Sequence, residues 1–340
     1  MMQTTTWPAR ALRAARSATL AAAVATLPAV AWANAVSETG SMFMTTFGGS
    51  GNAASGAAAA AGAGRSAGPA DKCPAAALRE AKAAKWQVAD DTKRQALALE
   101  SLACLRSPNP VERDELAFEA LQAWMRADKL DTATVQELRT RLGAQLTAPD
   151  PQGFARPFAA LVLADVARVD RVKPYLAPEQ RAQLVAAAAG YLRGVRDYRG
   201  FDEKQGWRHG VAHGADIMLQ LSLNPALARA EHEQILAAIA SQVAPAGEHF
   251  YHYGEGERLM APVFYLSRAK TMECSDWDNW FAALAAKPAA AGTRQAALAR
   301  KHNLNGFLQP LYVNISESKD EAQRNCLKPL LLRALRQAAE

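Results

Sequence analysis

Past its first 35 residues the sequence holds no apolar run long enough to cross a bilayer, no block of lysine and arginine, and no C-x-x-C pair. Each absence removes a class of protein. A membrane span needs about 20 consecutive apolar residues, so no transmembrane segment is expected in the mature chain. A nucleic-acid partner calls for basic clusters interleaved with exposed aromatics, and none is expected here. Without a C-x-x-C pair neither a thioredoxin-like redox centre nor a zinc knuckle is supported. Glycine-rich phosphate loops, nucleophile elbows and Cys/His pairings are missing too. So is any sustained apolar/polar alternation, which leaves no segment to read as a strand.

What is present begins with an address. Arg10, Arg13 and Arg16 open the 340-residue chain with no acid near them, Ala18 to Ala31 is a small apolar run broken by Pro28, and Ala33-Asn34-Ala35 forms an A-x-A site. This predicts a secretory signal peptide over 1–35. An uncleaved anchor is the alternative, but the run is too short for a span. Removing those three arginines leaves 36 basic and 33 acidic residues, so the formal charge of +6 falls to +3. A periplasmic location is expected first and an extracellular one second. Residues 36–71 collapse to Gly, Ala and Ser, a composition that buries too little apolar surface to offset its ordering entropy. They read as a flexible tether.

Four cysteines, Cys73, Cys104, Cys274 and Cys326, suit an exported chain and allow two disulfides in three connectivities. Cys73–Cys104 and Cys274–Cys326 are favoured, because each ties one end of the domain to itself. Four buried thiols are the alternative.

From Cys73 onward nearly every segment repeats its apolar residues at helical spacing. Helices are expected over Pro74–Trp86, Asp91–Leu105, from Asn109-Pro110, over Asp131–Leu146, Phe154–Val169 and Pro178 to about Asp197. More follow across 206–223, up to Pro245, and from about Glu255, Asp276, Gly292 and Lys319. About a dozen helices with short connections predict an all-α single domain over 72–340. The favoured architecture is an irregular α/α stack of helical hairpins, armadillo- or HEAT-like; a compact orthogonal bundle is the alternative.

One stretch breaks the apolar pattern: Gly206-Trp207-Arg208-His209-Gly210-Val211-Ala212-His213-Gly214-Ala215-Asp216. On a helix, His209, His213 and Asp216 share an arc of roughly 60°, with Trp207 and Val211 opposite. That spacing suits a shared divalent transition metal such as zinc. The general-base Glu of a zincin is absent, since Gly210 stands in its place. A hydrolytic reading therefore needs Glu203, Glu248, Glu255 or Glu257 as base. Gly210 and Gly214 together cost the helix about 2 kcal/mol against Ala, which suggests that a neighbour approaches closely there. The bland alternative is a satisfied buried network, with Arg258 or Lys204 pairing Asp216.

A second cluster, from Glu248 to Arg258, carries His249, His252, two tyrosines and Glu257, and is expected to roof the His209 side; an exposed loop is the alternative. His232 reads as solvated on a charged face, His302 carries no signal, and Trp277 and Trp280 read as core.

Asp197 to Gly200, Glu203 to Trp207, and the His209, His213, Asp216 series resemble the bacterial helical family catalogued as domain of unknown function 2785. Arg156-Pro157-Phe158 and Glu257-Arg258-Leu259 are similar to flanking elements of that family. The likeness covers about 150–281. It implies a helical, armadillo-like fold and no established activity. The expectation that follows is a binding or scaffold protein with a polar groove centred on His209, His213 and Asp216. Asp202, Glu203, Trp207, His249, His252, Glu257 and Arg258 complete the groove. Its partner is an unknown small molecule, peptide or protein, and no cofactor is required. A metal-dependent hydrolase with His209, His213 and Asp216 as ligands is the rival, and a purely structural network the third reading.

Overall fold

The computed structural model describes residues 72–287 and 292–339. The signal-peptide and tether readings lie outside those residues. Among them the chain forms twelve α-helices, as the periodicity predicts. They are α1 (Ala75–Ala83), α2 (Asp91–Glu100), α3 (Glu119–Arg126), α4 (Thr132–Gln145), α5 (Ala155–Val172) and α6 (Pro178–Gly194). Then come α7 (Gly210–Ser222), α8 (Arg229–Val243), α9 (Glu255–Leu266), α10 (Cys274–Ala285), α11 (Arg294–Ser316) and α12 (Glu321–Ala339).

Local chemistry explains where they begin. The Asp90 carboxylate accepts the Lys93 amide at the start of α2, and Asp131 accepts that of Thr134 at the start of α4. Each satisfies one of the amides that a helix N-terminus leaves free. Asp150 does more, accepting the amides of Gly153, Phe154 and Arg156 where α5 opens. Pro178 stands at the first turn of α6, where its missing N–H costs nothing.

Three features depart from the expected pattern. The helix expected over Asp91–Leu105 ends at Glu100 and tightens into a 3₁₀ helix, Ser101–Arg106. The segment after Pro110 starts as a π-helical stretch, Val111–Phe118, before tightening into α3. The loop between α6 and α7 also forms a two-stranded antiparallel pair, β1 (Phe201–Asp202) and β2 (Gly206–Trp207), with Phe201 opposite Trp207. Two residues per strand are too few for alternation to register.

The helices stack as hairpins. α5, α7, α9 and α11 lie side by side in one row, while α6 and α8 pack together behind them; α12 closes the end against α10 and α11. The core runs through both rows, with Phe158, Leu163, Leu192, Ile217, Ile239, Val263 and Phe307 fully buried. Trp277 is core, as expected, and Trp280 packs at its margin. His232 corrects the sequence reading. It is buried, and its Nδ1 meets Thr271 Oγ1 at 2.6 Å, because α8 turns that side of its charged face toward the turn before α10.

Both favoured disulfides form, Cys73–Cys104 and Cys274–Cys326, closing loops of 31 and 52 residues. The chain-entropy account assigns each about 4 kcal/mol. No helix among the described residues is long and apolar enough to cross a membrane.

Candidate functional site

The short hairpin sets the site. Asp202 accepts the amides of Lys204 and Gln205 and so folds the turn. The Arg208 amide then donates to Gly200 O and the His209 amide to Arg199 O. These bonds hold His209 at φ 54°, a left-handed backbone rare outside glycine. α7 starts only at Gly210, with the His213 amide bonded to His209 O. The expected three-residue helix face is therefore corrected. His209 and Trp207 precede the helix, and the left-handed step turns the His209 ring back onto Trp207, with ring centres 4.7 Å apart.

Around this turn lies a continuous aromatic cluster. Tyr253 stands edge-on to both Trp207 and His209, and Phe201 tilts against Trp207. His213 meets the His209 ring at 5.8 Å and the edge of Phe158 in α5 at 5.1 Å. A Cβ on Gly200 would fall 2.0 Å from the Tyr253 ring, so only glycine lets Tyr253 lie there. A Cβ on Gly214 would come 2.8 Å from Leu192, which is the close helix approach that its place in the sequence suggested.

Beneath the hairpin sits a wholly buried guanidinium. Arg113 pairs with Asp114, donates to Ser107 O and Gln205 O, and covers the rings of Phe154 and Phe158 at 4.2 and 4.7 Å. Arg208 also faces the Phe154 ring, at 4.1 Å, and reaches Gln152 O and Gln205 Oε1. The Gln205 turn is thus pinned by two arginines against one phenylalanine. Burial lowers the Arg113 pKa and pushes the Asp114 carboxyl up to about 6 in spite of the pairing.

Electrostatics at the histidines follow from burial. Removal from water, reinforced by the positive charge of Arg258, drops the His209 pKa to about 3. Burial, together with His209 and Arg258, holds His213 well below the ordinary imidazole value. Both rings are neutral at pH 7. His209 Nε2 lies 3.9 Å from Glu255 Oε1, too far for a hydrogen bond, and a neutral ring makes no ion pair. Glu255 instead accepts the Tyr253 amide. Asp216 pairs with Arg258, as one sequence reading expected, while burial keeps its carboxyl above the usual range. Lys204 plays no part in that pairing.

Four buried polar atoms in this cluster have no partner at close hydrogen-bond geometry, His209 Nε2, both ring nitrogens of His213 and Asp216 Oδ2, although the Pro157 backbone approaches His213 and the Tyr253 backbone approaches His209. The three-ligand metal set is not assembled. Among the described residues no three His, Cys, Asp or Glu side chains converge to hold an ion. The helical spacing fails because His209 leaves the helix, and Asp216 faces Arg258.

The remaining expected residues divide. Trp207 and Arg258 belong to the cluster. His249 stacks on Tyr198 and reaches the cluster through His252, whose ring meets Tyr253. His252 touches Tyr253 but is exposed, its Nδ1 against Phe250 O. Asp202, Glu203 and Glu257 are exposed at the rim. His302, read as carrying no signal, anchors the roof loop through Nε2 to Tyr251 O at 2.8 Å.

Sequence reasoning missed Arg113 and Phe154; Arg208 and Tyr253 lay inside the two stretches it singled out but were given no role, and Glu255 entered only as a possible base. Arg113 had a signal: it lies three, four and seven residues before Leu116, Ala117 and Ala120, on their buried face. Tyr253 was marked only by its place in the Glu248–Arg258 cluster, because a loop has no period to break.

Several of these contacts join residues of the motifs that carried the family likeness: Asp197 pairs with Arg199, Trp207 stacks on His209, and Asp216 pairs with Arg258. No curated protein and no solved structure matches the chain. The family model described as Protein of unknown function (DUF2785) matches residues 142–313, the span that carries α5 to α9 and the cluster between them, and the chain belongs to that family.

Proposed function

We propose that the chain is an exported periplasmic binding protein that holds a small polar molecule against His209, His213 and Asp216. Arg258 pairs with Asp216, and Trp207 and Tyr253 pack against the His209 ring. The four unpartnered polar atoms carry this reading. Native interiors pair nearly all such atoms, and each orphan costs about 1–3 kcal/mol, so a group of four in one place calls for a partner. The three unpartnered imidazole nitrogens supply both donors and acceptors, and Asp216 Oδ2 supplies another acceptor. A hydroxyl- or amide-bearing ligand suits that set. Arg258 remains one-third exposed in its side chain, so a charged donor beside Asp216 is in reach of solvent.

The chemistry favours binding over catalysis. Both imidazoles are held neutral far from the pH at which they exchange protons, and the other oxygen of Asp216 is occupied by Arg258. Disulfides persist in oxidising compartments, which accords with export. N-terminal sequencing of the secreted protein should begin at Val36; a chain retaining residues 1–35 would count against export.

His213→Leu tests the site itself. It removes two orphaned nitrogens at nearly constant volume, so the Tm is expected to stay level or rise, as is common when a binding residue is removed. Thermal protection by millimolar glucose, sorbitol or glutamine is expected for the native chain and not for the variant. A Tm loss above about 5 °C in the variant, or no protection of the native chain by any of the three, would sink the reading.

A further inference from the structure

The turn between α1 and α2 and the C-terminal end of α3 enclose a cleft of about 360 Å³, outside the span matched by the family model. That volume lies within the range of small-molecule sites. Its wall carries an uncommon backbone feature. Lys85 and Trp86 stand consecutively in the left-handed region, at φ 54° and 61°. For a residue as bulky as tryptophan this is an outlier costing of order 1–3 kcal/mol, and it persists only where the surroundings enforce it.

The enforcing contacts are present. The Trp86 amide donates to Ala81 O, and Trp86 O accepts Trp124 Nε1 at 2.9 Å. The two indoles meet edge to face at 6.3 Å. Opposite them, buried Arg94 spends its donors on Val88 O, Lys129 O and the Asp91 carboxylate. The wall is therefore rigid, and its one carboxylate is already neutralised. Lys85 and Lys129 also line the cleft; both are exposed, and neither ammonium has a hydrogen bond or ion pair among the described residues.

A rigid, half-buried indole beside two free ammonium groups recognises a flat apolar body bearing a negative charge. We propose that this cleft binds a small aromatic carboxylate, its ring against Trp86 and its carboxylate between Lys85 and Lys129. The site is independent of the His213 cluster.

Naphthalene-2-carboxylate is the probe, titrated into the full chain by calorimetry, with naphthalene-2-carboxamide as the uncharged control. The acid is expected to bind with a Kd below about 1 mM and the amide at least tenfold more weakly. Lys85→Gln with Lys129→Gln, both exposed and harmless to folding, is expected to weaken the acid at least tenfold. Trp86→Ala should do the same, whereas His213→Leu should leave the Kd unchanged. No binding at 5 mM, equal binding of acid and amide, or an unchanged Kd in the double lysine variant would each overturn the proposal.

Discussion

At the scale of single residues the molecule is defined by charges and imidazoles taken out of water. The folded-state pKa of His209 and His213 lies below the unfolded value of about 6.5. The unfolded chain therefore binds more protons as pH falls below 6.5, and stability that is complete above 6.5 is lost toward lower pH. Each ring should cost roughly 2 kcal/mol between pH 6.5 and 5. Asp114 acts in the opposite sense. Its pKa is raised to about 6, so its contribution is present below about 4 and is lost as pH rises through 6. The two histidines outweigh it. Urea unfolding at pH 7 and pH 5 should show a net loss, smaller by roughly 2 kcal/mol in His213→Leu; an equal loss in both proteins would mean that His213 is not held neutral. Arg113 gives a second measurement. Arg113→Met strands Asp114 and frees the Gln205 turn, and should destabilise by about 3–5 kcal/mol in the same assay. A cost below about 1 kcal/mol would show that the pair contributes little.

At the scale of elements, the β1–β2 hairpin and the loop before α9 form one unit. Gly200 admits the Tyr253 ring, and Tyr253 in turn flanks Trp207 and His209. Gly200→Ala should cost about 1–3 kcal/mol through overpacking. Adding Tyr253→Ala removes the clashing ring, so the double variant should cost less than the sum of the singles. Additive costs would place the strain elsewhere. The left-handed His209 belongs to this scale too: two hairpin hydrogen bonds set its backbone, and that setting aims the ring.

At the scale of the whole molecule, two disulfides brace the N-terminal and C-terminal parts of the helical stack. Replacing Cys73 and Cys104 together by Ala should lower the Tm by about 10 °C, and Cys274 with Cys326 by a similar amount, given about 4 kcal/mol for each closed loop. Losses measured by calorimetry that add in the fourfold variant would show that the two ends are stabilised independently. A shift under about 3 °C for either pair would mean that packing alone holds that end.

Fold class and helix order were legible in the chain, because each depends on local spacing: apolar residues recurring with the helical period, and Asp90, Asp131 and Pro178 marking helix starts; the disulfide pairing was only favoured among three, and the fold decides it. The identity of the central stretch was legible as well, since Trp207, His209, His213 and Asp216 stood out against an apolar background. Their geometry was not. Helical spacing put His209 on the same face as His213, whereas the backbone bonds of Arg208 and His209 to Gly200 and Arg199 take it off the helix. Arg113, Phe154 and Tyr253 come from segments distant in sequence: packing of α5, α7 and α9 in one row brings the last two near the histidines, and Arg113 joins through its bond to Gln205 O and its contact with the Phe154 ring. Local periodicity determines the elements. Which polar atoms are buried without partners is decided by long-range contacts, and it was the tertiary structure that turned a suspected metal face into a neutral, unsatisfied cluster beneath Trp207.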